Sequence, residues 1–105
     1  MALTRDFKHT VIERVNRDPA FAKALLYEAV DAFLTGEPEI ARLILRDLVN
    51  ATIGFETLAI KTAKPSKSLH RMLTKTGNPS MDNLAAIFSV VQKNLGVRIK
   101  AQATK

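Results

Sequence analysis

The chemically pointed part of this chain is residues 61–75, Lys-Thr-Ala-Lys-Pro-Ser-Lys-Ser-Leu-His-Arg-Met-Leu-Thr-Lys, with five Lys or Arg and no acid. On a helix starting near Ser66, Leu69, Met72 and Leu73 share one side at i, i+3, i+4 spacing. Lys67, Ser68, His70, Arg71 and Lys75 fall on the other sides, with Lys67 and Arg71 one turn apart. A helix anchored by one face and offering donors on the other suits the major groove of a nucleic-acid duplex. There Arg71 or Lys67 can donate to guanine O6 and N7, and Ser66 and Ser68 to bases or phosphates. The plainer alternative is an amphipathic helix with a solvated basic face.

The distribution of charge fits either reading, a polyanion partner or a solvated basic surface. Of a net +6, residues 1–60 contribute seven basic groups against nine acids, and residues 61–105 contribute nine basic groups against Asp82 alone. A half with a balance of +8 points to a polyanion, because cations bound along phosphates release condensed counterions. Other chemistry is poorly supplied. There is no Cys, so neither disulfides nor thiolate metal sites are possible. His9 and His70 are too far apart in sequence to form a local ligand pair. Glu28, Asp31, Glu37 and Glu39 invite a paired-carboxylate reading, but they lack a second acid–base element, a metal-ligand cluster or a glycine-rich phosphate loop. They read as helix surface charges. Phe21, Phe33, Phe55 and Phe88 sit at core spacing rather than forming a platform for stacked bases. No catalytic constellation is present, and no cofactor or metal is expected. No apolar run is long enough for a membrane span, and Met-Ala-Leu-Thr-Arg-Asp is not a secretory leader, so the expected compartment is the cytoplasm.

The elements that position the basic stretch are helices. Phe7, Val11, Ile12 and Val15 make a short, weak amphipathic segment. Asp18-Pro19 is a helix start: the carboxylate caps free N–H groups, and proline at the first helical position loses nothing by lacking its own. Phe21, Leu25, Ala29 and Phe33, flanked by Ala22, Leu26 and Val30, give the next helix its apolar face, and Gly36 ends it. Pro38 restarts a helix to about Asn50, with Ile40, Leu43, Ile44 and Leu48 at helical spacing. Phe55–Thr62 makes two turns with Leu58 and Ala59 inward. Lys64-Pro65 interrupts, because the residue before a proline is pushed out of the α region. After the helix from Ser66, Gly77-Asn78-Pro79 is a turn. Ser80 caps a helix over Met81–Leu95 with Leu84, Ile87, Phe88, Val91 and Leu95 as its stripe, closed by Gly96. Val97-Arg98-Ile99-Lys100 alternates, which allows a short strand or an unpaired tail. At 105 residues the chain fits one domain: an N-terminal helical extension over 7–36, a core over 38–96 and a tail over 97–105.

The stretch Gly54-Phe55-Glu56-Thr57-Leu58-Ala59, then Ala63-Lys64-Pro65-Ser66-Lys67-Ser68-Leu69-His70-Arg71-Met72-Leu73, resembles a lambda-repressor-like (Xre/Cro-type) helix-turn-helix. Leu58-Ala59 sits midway in its second helix, Ala63 takes the small-residue place in the turn, and Leu69 is the buried aliphatic of the recognition helix. Thr76-Gly77-Asn78-Pro79-Ser80 with Leu84 resembles, more narrowly, the addiction-module antidote proteins (HigA-like antitoxins). So do Asp18-Pro19, Tyr27-Glu28-Ala29-Val30, Gly36 and Leu45-Arg46-Asp47-Leu48-Val49. The resemblance covers most of residues 18–96. It implies an all-α bundle of about five helices with extra N-terminal helices. It also implies base contacts from Ser66, Lys67 and Arg71 and a phosphate contact from Ser68. Three positions depart from the pattern: Ala63 stands where Gly is usual, Lys64 replaces an apolar residue, and Pro65 takes the place of a capping hydroxyl.

The expected DNA-contacting set is therefore Lys64, Ser66, Lys67, Ser68, His70, Arg71, Lys75 and Asn78. Asn78 also reads as a residue tolerating an unusual backbone angle in the turn, and His70 as a solvent- or phosphate-facing side chain. The function expected is that of a sequence-specific repressor, binding an operator duplex as a homodimer with half-sites about one helical turn apart. Its dimer patch is expected on the last helix or Val97–Ile99. The resemblance implies in addition an antitoxin that represses its own operon and neutralises a small basic RelE/HigB-like ribonuclease toxin. The acidic balance of residues 1–60 is compatible with such a partner. The alternatives are a solitary phage-type repressor and a protein inhibitor with only nonspecific DNA affinity. RNA binding ranks third, for want of an exposed aromatic surface.

Overall fold

Two of the helix starts, at Asp18 and Ser80, fall where capping chemistry places them. In the computed structural model, which describes the backbone from Arg5 and the side chains from Thr10 through Lys105, six helices and no strand occur among the described residues. They are α1 (Arg5–Arg17), α2 (Pro19–Leu34), α3 (Pro38–Ala51), α4 (Phe55–Thr62), α5 (Ser66–Met72) and α6 (Met81–Leu95). Asp18 Oδ1 accepts from the Ala20 N–H at 3.1 Å, with Pro19 as the first helical residue. Ser80 Oγ accepts from the Asn83 N–H at 3.1 Å. The turns after α2 and α6 use left-handed backbone at Gly36 (φ 83°) and Gly96 (φ 66°). The weak segment around Val11 extends to a 13-residue helix; the side chains of Phe7 and His9 lie outside the described residues.

The core runs through the chain from α1 to α6. Val11 and Val15 of α1, Ala22 and Leu26 of α2, Leu45, Leu48 and Val49 of α3, Phe55 and Leu58 of α4, Leu69 and Leu73, and Leu84, Ile87 and Val91 of α6 form one cluster. The extension over 7–36 thus shares a core with the segment that follows it. α2 and α3 pack most extensively, as an antiparallel pair joined by the short turn at 35–37, and α1 lies against both. Ala29 and Ala32 of α2 and Ala41 of α3 are buried. Phe33 and Phe88 meet edge to face with centroids 6.4 Å apart, joining α2 to α6.

Two expectations need correction. The buried stripe of α3 is Ala41, Leu45, Leu48 and Val49, while Ile40 is 46% exposed and Leu43 and Ile44 are half-buried. Ranking positions by side-chain size passes over alanine, yet Ala41 is buried where its larger neighbour Ile40 is exposed. Residues 97–100 form no strand, because among the described residues there is no other strand to pair with. Val97 and Ile99 instead fold back onto the core. The Ile99 N–H donates to Gln92 Oε1 at 2.7 Å, and the Val97 N–H to the Gln92 carbonyl at 3.1 Å. The alternation came from one-sided burial, with Arg98 and Lys100 outward. Among the described residues, no helix is long and apolar enough to cross a membrane.

Candidate nucleic-acid interface

α4 and α5 are short, eight and seven residues. Helices of that length do not persist alone in water, so their place is set by packing. Leu58 of α4 and Leu69 and Leu73 at the end of α5 are fully buried. The turn between the helices is made by Ala63 at φ 55°, ψ 40°, the one non-glycine residue with positive φ among those described. Lys64 N–H closes the end of α4 on the Ala59 carbonyl at 3.1 Å. Pro65 then takes an extended conformation (φ −62°, ψ 137°) and its carbonyl accepts from Leu69 N–H at 3.1 Å, opening α5. No side chain caps α5, consistent with proline where a hydroxyl would do that work. A left-handed Cβ-bearing residue costs about 1–2 kcal/mol, so Ala63 holds this turn under strain.

On α5, Lys67 and Arg71 are exposed and stand opposite the buried Leu69–Leu73 edge. Ser66 and Ser68 are half-buried, as is Lys64 in the turn, so these three offer less of themselves to an outside ligand. His70 is exposed at its edge, but its ring lies flat on Phe55, with centroids 3.8 Å apart and planes 20° apart. That stack ties α5 to the first residue of α4. Sequence reading placed His70 toward solvent and Phe55 in the core; their contact has no signal at a separation of fifteen positions.

Lys75 and Asn78 lie in the loop beyond α5, both exposed. Asn78 does not have positive φ, so the expected tolerance of an unusual angle is not used there. The tight point is Gly77: a Cβ on it would fall 2.6 Å from the Arg71 carbonyl oxygen and nearer still to that of Met72. The loop therefore doubles back beneath the end of α5, and only glycine permits the approach.

Sequence reading missed the residue that holds this loop. Arg42, half-buried on α3, donates from Nε to the Thr74 carbonyl at 3.0 Å and from Nη2 to the Lys75 carbonyl at 2.7 Å. One turn earlier, Glu39 Oε1 lies 3.7 Å from Lys75 Nζ. Beside the site, Lys61, Val90, Lys93 and Asn94 line an open cleft between α4 and α6. The interface is thus a short helix with Lys67 and Arg71 outward, a strained turn before it and a clamped loop after it. Among the described residues, no group of three His, Asp or Glu is placed to hold a metal ion. No protein-family model, no curated protein and no solved structure matches this chain.

Proposed function

We propose that this protein is a non-enzymatic, sequence-reading DNA-binding regulator of the lambda-repressor-like helix-turn-helix kind, with α4 across the phosphate backbone and α5 in the major groove. The observation that carries this reading is the exposure of Lys67 and Arg71 together on the face of α5 opposite its buried leucines. It lies in a half of the chain whose one acid is Asp82. In this reading Lys67 and Arg71 read base edges, and Ser66, Ser68, Lys64, Lys75 and Asn78 meet phosphates or flanking bases from the helix start, the turn and the loop. His70 packs on Phe55 and offers its free edge. The protein works as a homodimer on a cytoplasmic operator, since one such module spans few base pairs.

The test is a titration of fluorescent duplex from upstream of its own gene, and of a scrambled duplex, with wild type, Lys67→Ala and Arg71→Ala. Each substitution is expected to cost about 1–3 kcal/mol on the true site and much less on the scrambled one. Equal binding to both duplexes, indifferent to either substitution, overturns the reading.

A second activity is favoured by the α2–α3 hairpin. Tyr27, Leu34 and Ile40 are exposed apolar side chains around the α2–α3 hairpin, among exposed Glu28, Asp31, Glu37 and Glu39. An apolar patch ringed by acids suits a basic protein partner, and the antitoxin resemblance supplies one, a small ribonuclease toxin. Calorimetry with the basic product of the neighbouring gene, against Leu34→Asp, separates an antitoxin from a solitary repressor: the repressor shows no heat of binding.

A further inference from the structure

Arg42 reaches across the fold to the carbonyls of Thr74 and Lys75, 32 and 33 residues away. They fall on the loop that leaves α5. That loop is already confined: Thr74 Oγ1 donates to the Arg71 carbonyl at 2.9 Å, Gly77 N–H to the Thr74 carbonyl at 3.1 Å, and Gly77 admits no Cβ. Without Arg42 the Thr74 carbonyl would keep only the Gly77 N–H, and the Lys75 carbonyl would have to be met by water or by a rearranged loop. The guanidinium meets both at once with a planar fork that an ammonium cannot reproduce. From the same helix, Glu39 holds the Lys75 ammonium at 3.7 Å, with both side chains more than half exposed.

We infer that Arg42 and Glu39 of α3 are positioning residues for the DNA site, acting on α5 and Lys75 from outside it. Arg42 fixes the path of residues 73–77 and with it the angle at which Lys67 and Arg71 leave the surface. Glu39 acts in the opposite sense, as an internal counterion that a DNA phosphate must displace before Lys75 can serve. The inference rests on the reading of α5 as a DNA-reading helix. It goes further, in assigning opposite signs to two residues on a helix that touches no DNA in that reading.

The experiment uses the full chain with the best-bound duplex recovered from a random-sequence pool, and a scrambled duplex, across a salt series. Arg42→Lys keeps the charge and loses the fork. It is expected to weaken the selected duplex by about tenfold, as loss of a charge-assisted hydrogen bond does, and to leave the scrambled duplex nearly unchanged. A role confined to stability would leave the ratio of the two affinities untouched in the folded fraction, which circular dichroism measures alongside. Glu39→Gln, at an exposed site the fold does not need, is expected to tighten both duplexes by up to about fivefold. It should also steepen the salt dependence by roughly one counterion. Wild-type discrimination by Arg42→Lys and an unchanged affinity and salt slope for Glu39→Gln would overturn the inference while leaving the DNA-reading helix standing. A wild type that does not discriminate the selected from the scrambled duplex overturns both.

Discussion

The α2–α3 pair and the α4–α5 pair solve the same packing problem in opposite ways. The first consists of helices of 16 and 14 residues whose long buried faces mix small residues, Ala22, Ala29, Ala32 and Ala41, with the fully buried Leu26, Leu45, Leu48 and Val49. The second consists of helices of eight and seven residues pinned by three fully buried leucines, Leu58, Leu69 and Leu73. Two long buried faces hold the first pair together and leave Glu28, Asp31, Glu37 and Glu39 on its outside. Deep anchors give the second its position and leave most of its short surface for polar and basic groups. The lesson is that a recognition surface need not lie on a self-sufficient element; it needs a few residues with nowhere else to go.

The sharpest way to break that comparison is to delete an anchor. Leu69→Ala is expected to cost about 2–5 kcal/mol in urea unfolding, because the void under α5 cannot close fully; a loss below 1 kcal/mol would mean that α5 is not held by its leucines. The converse change is to add volume where the first pair has none to spare. Ala29→Leu should destabilise by about 1–3 kcal/mol through overpacking, and a neutral result would show that the first pair has room to spare. Lys67→Ala and Arg71→Ala on the reading face are expected to leave unfolding within about 0.5 kcal/mol of wild type while reducing specific binding. Any larger loss of stability would mean that the exposed face also supports the fold. A small gain is expected at the joint: Ala63→Gly removes the Cβ from a left-handed residue and should stabilise by about 0.5–1 kcal/mol net of glycine's extra freedom in the unfolded chain. Destabilisation there would mean that the turn is relaxed with alanine in place.

Much of the scaffold was legible because helix ends are local. Asp18, Ser80, Gly36 and Gly96 act through bonds within a few residues, so their roles follow from residue type and neighbours alone. The stripe of α6 was legible for the same reason: Leu84, Ile87 and Val91 are large, apolar and regularly spaced. The phase of α3 was not, since its most buried residue near the hairpin is Ala41, whose small side chain carries little signal. The strained turn at Ala63 followed from a departure at one position, but the clamp by Arg42 did not, because nothing local distinguishes it from any other helix-surface arginine. Val97–Ile99 shows the reverse error. Alternation reports which side is covered, and the cover here is the chain's own core rather than a neighbouring strand. Within the candidate site, Lys67 and Arg71 could be picked out by periodicity. The partial burial of Ser66, Ser68 and Lys64 depends on how closely α5 sits in its turn, which no spacing rule gives.

The brevity of α5 has a practical consequence. A synthetic peptide of residues 61–75 carries every charge of the reading helix but none of the pockets that receive Leu69 and Leu73, so it should be a random coil that sticks to any polyanion through counterion release. Under the proposed DNA-reading role, selectivity is therefore not portable. It cannot be grafted as a linear epitope, mimicked by a short competitor or preserved in a trimmed fragment, and any agent that loosens the bundle erases the readout before the chain has lost its helices.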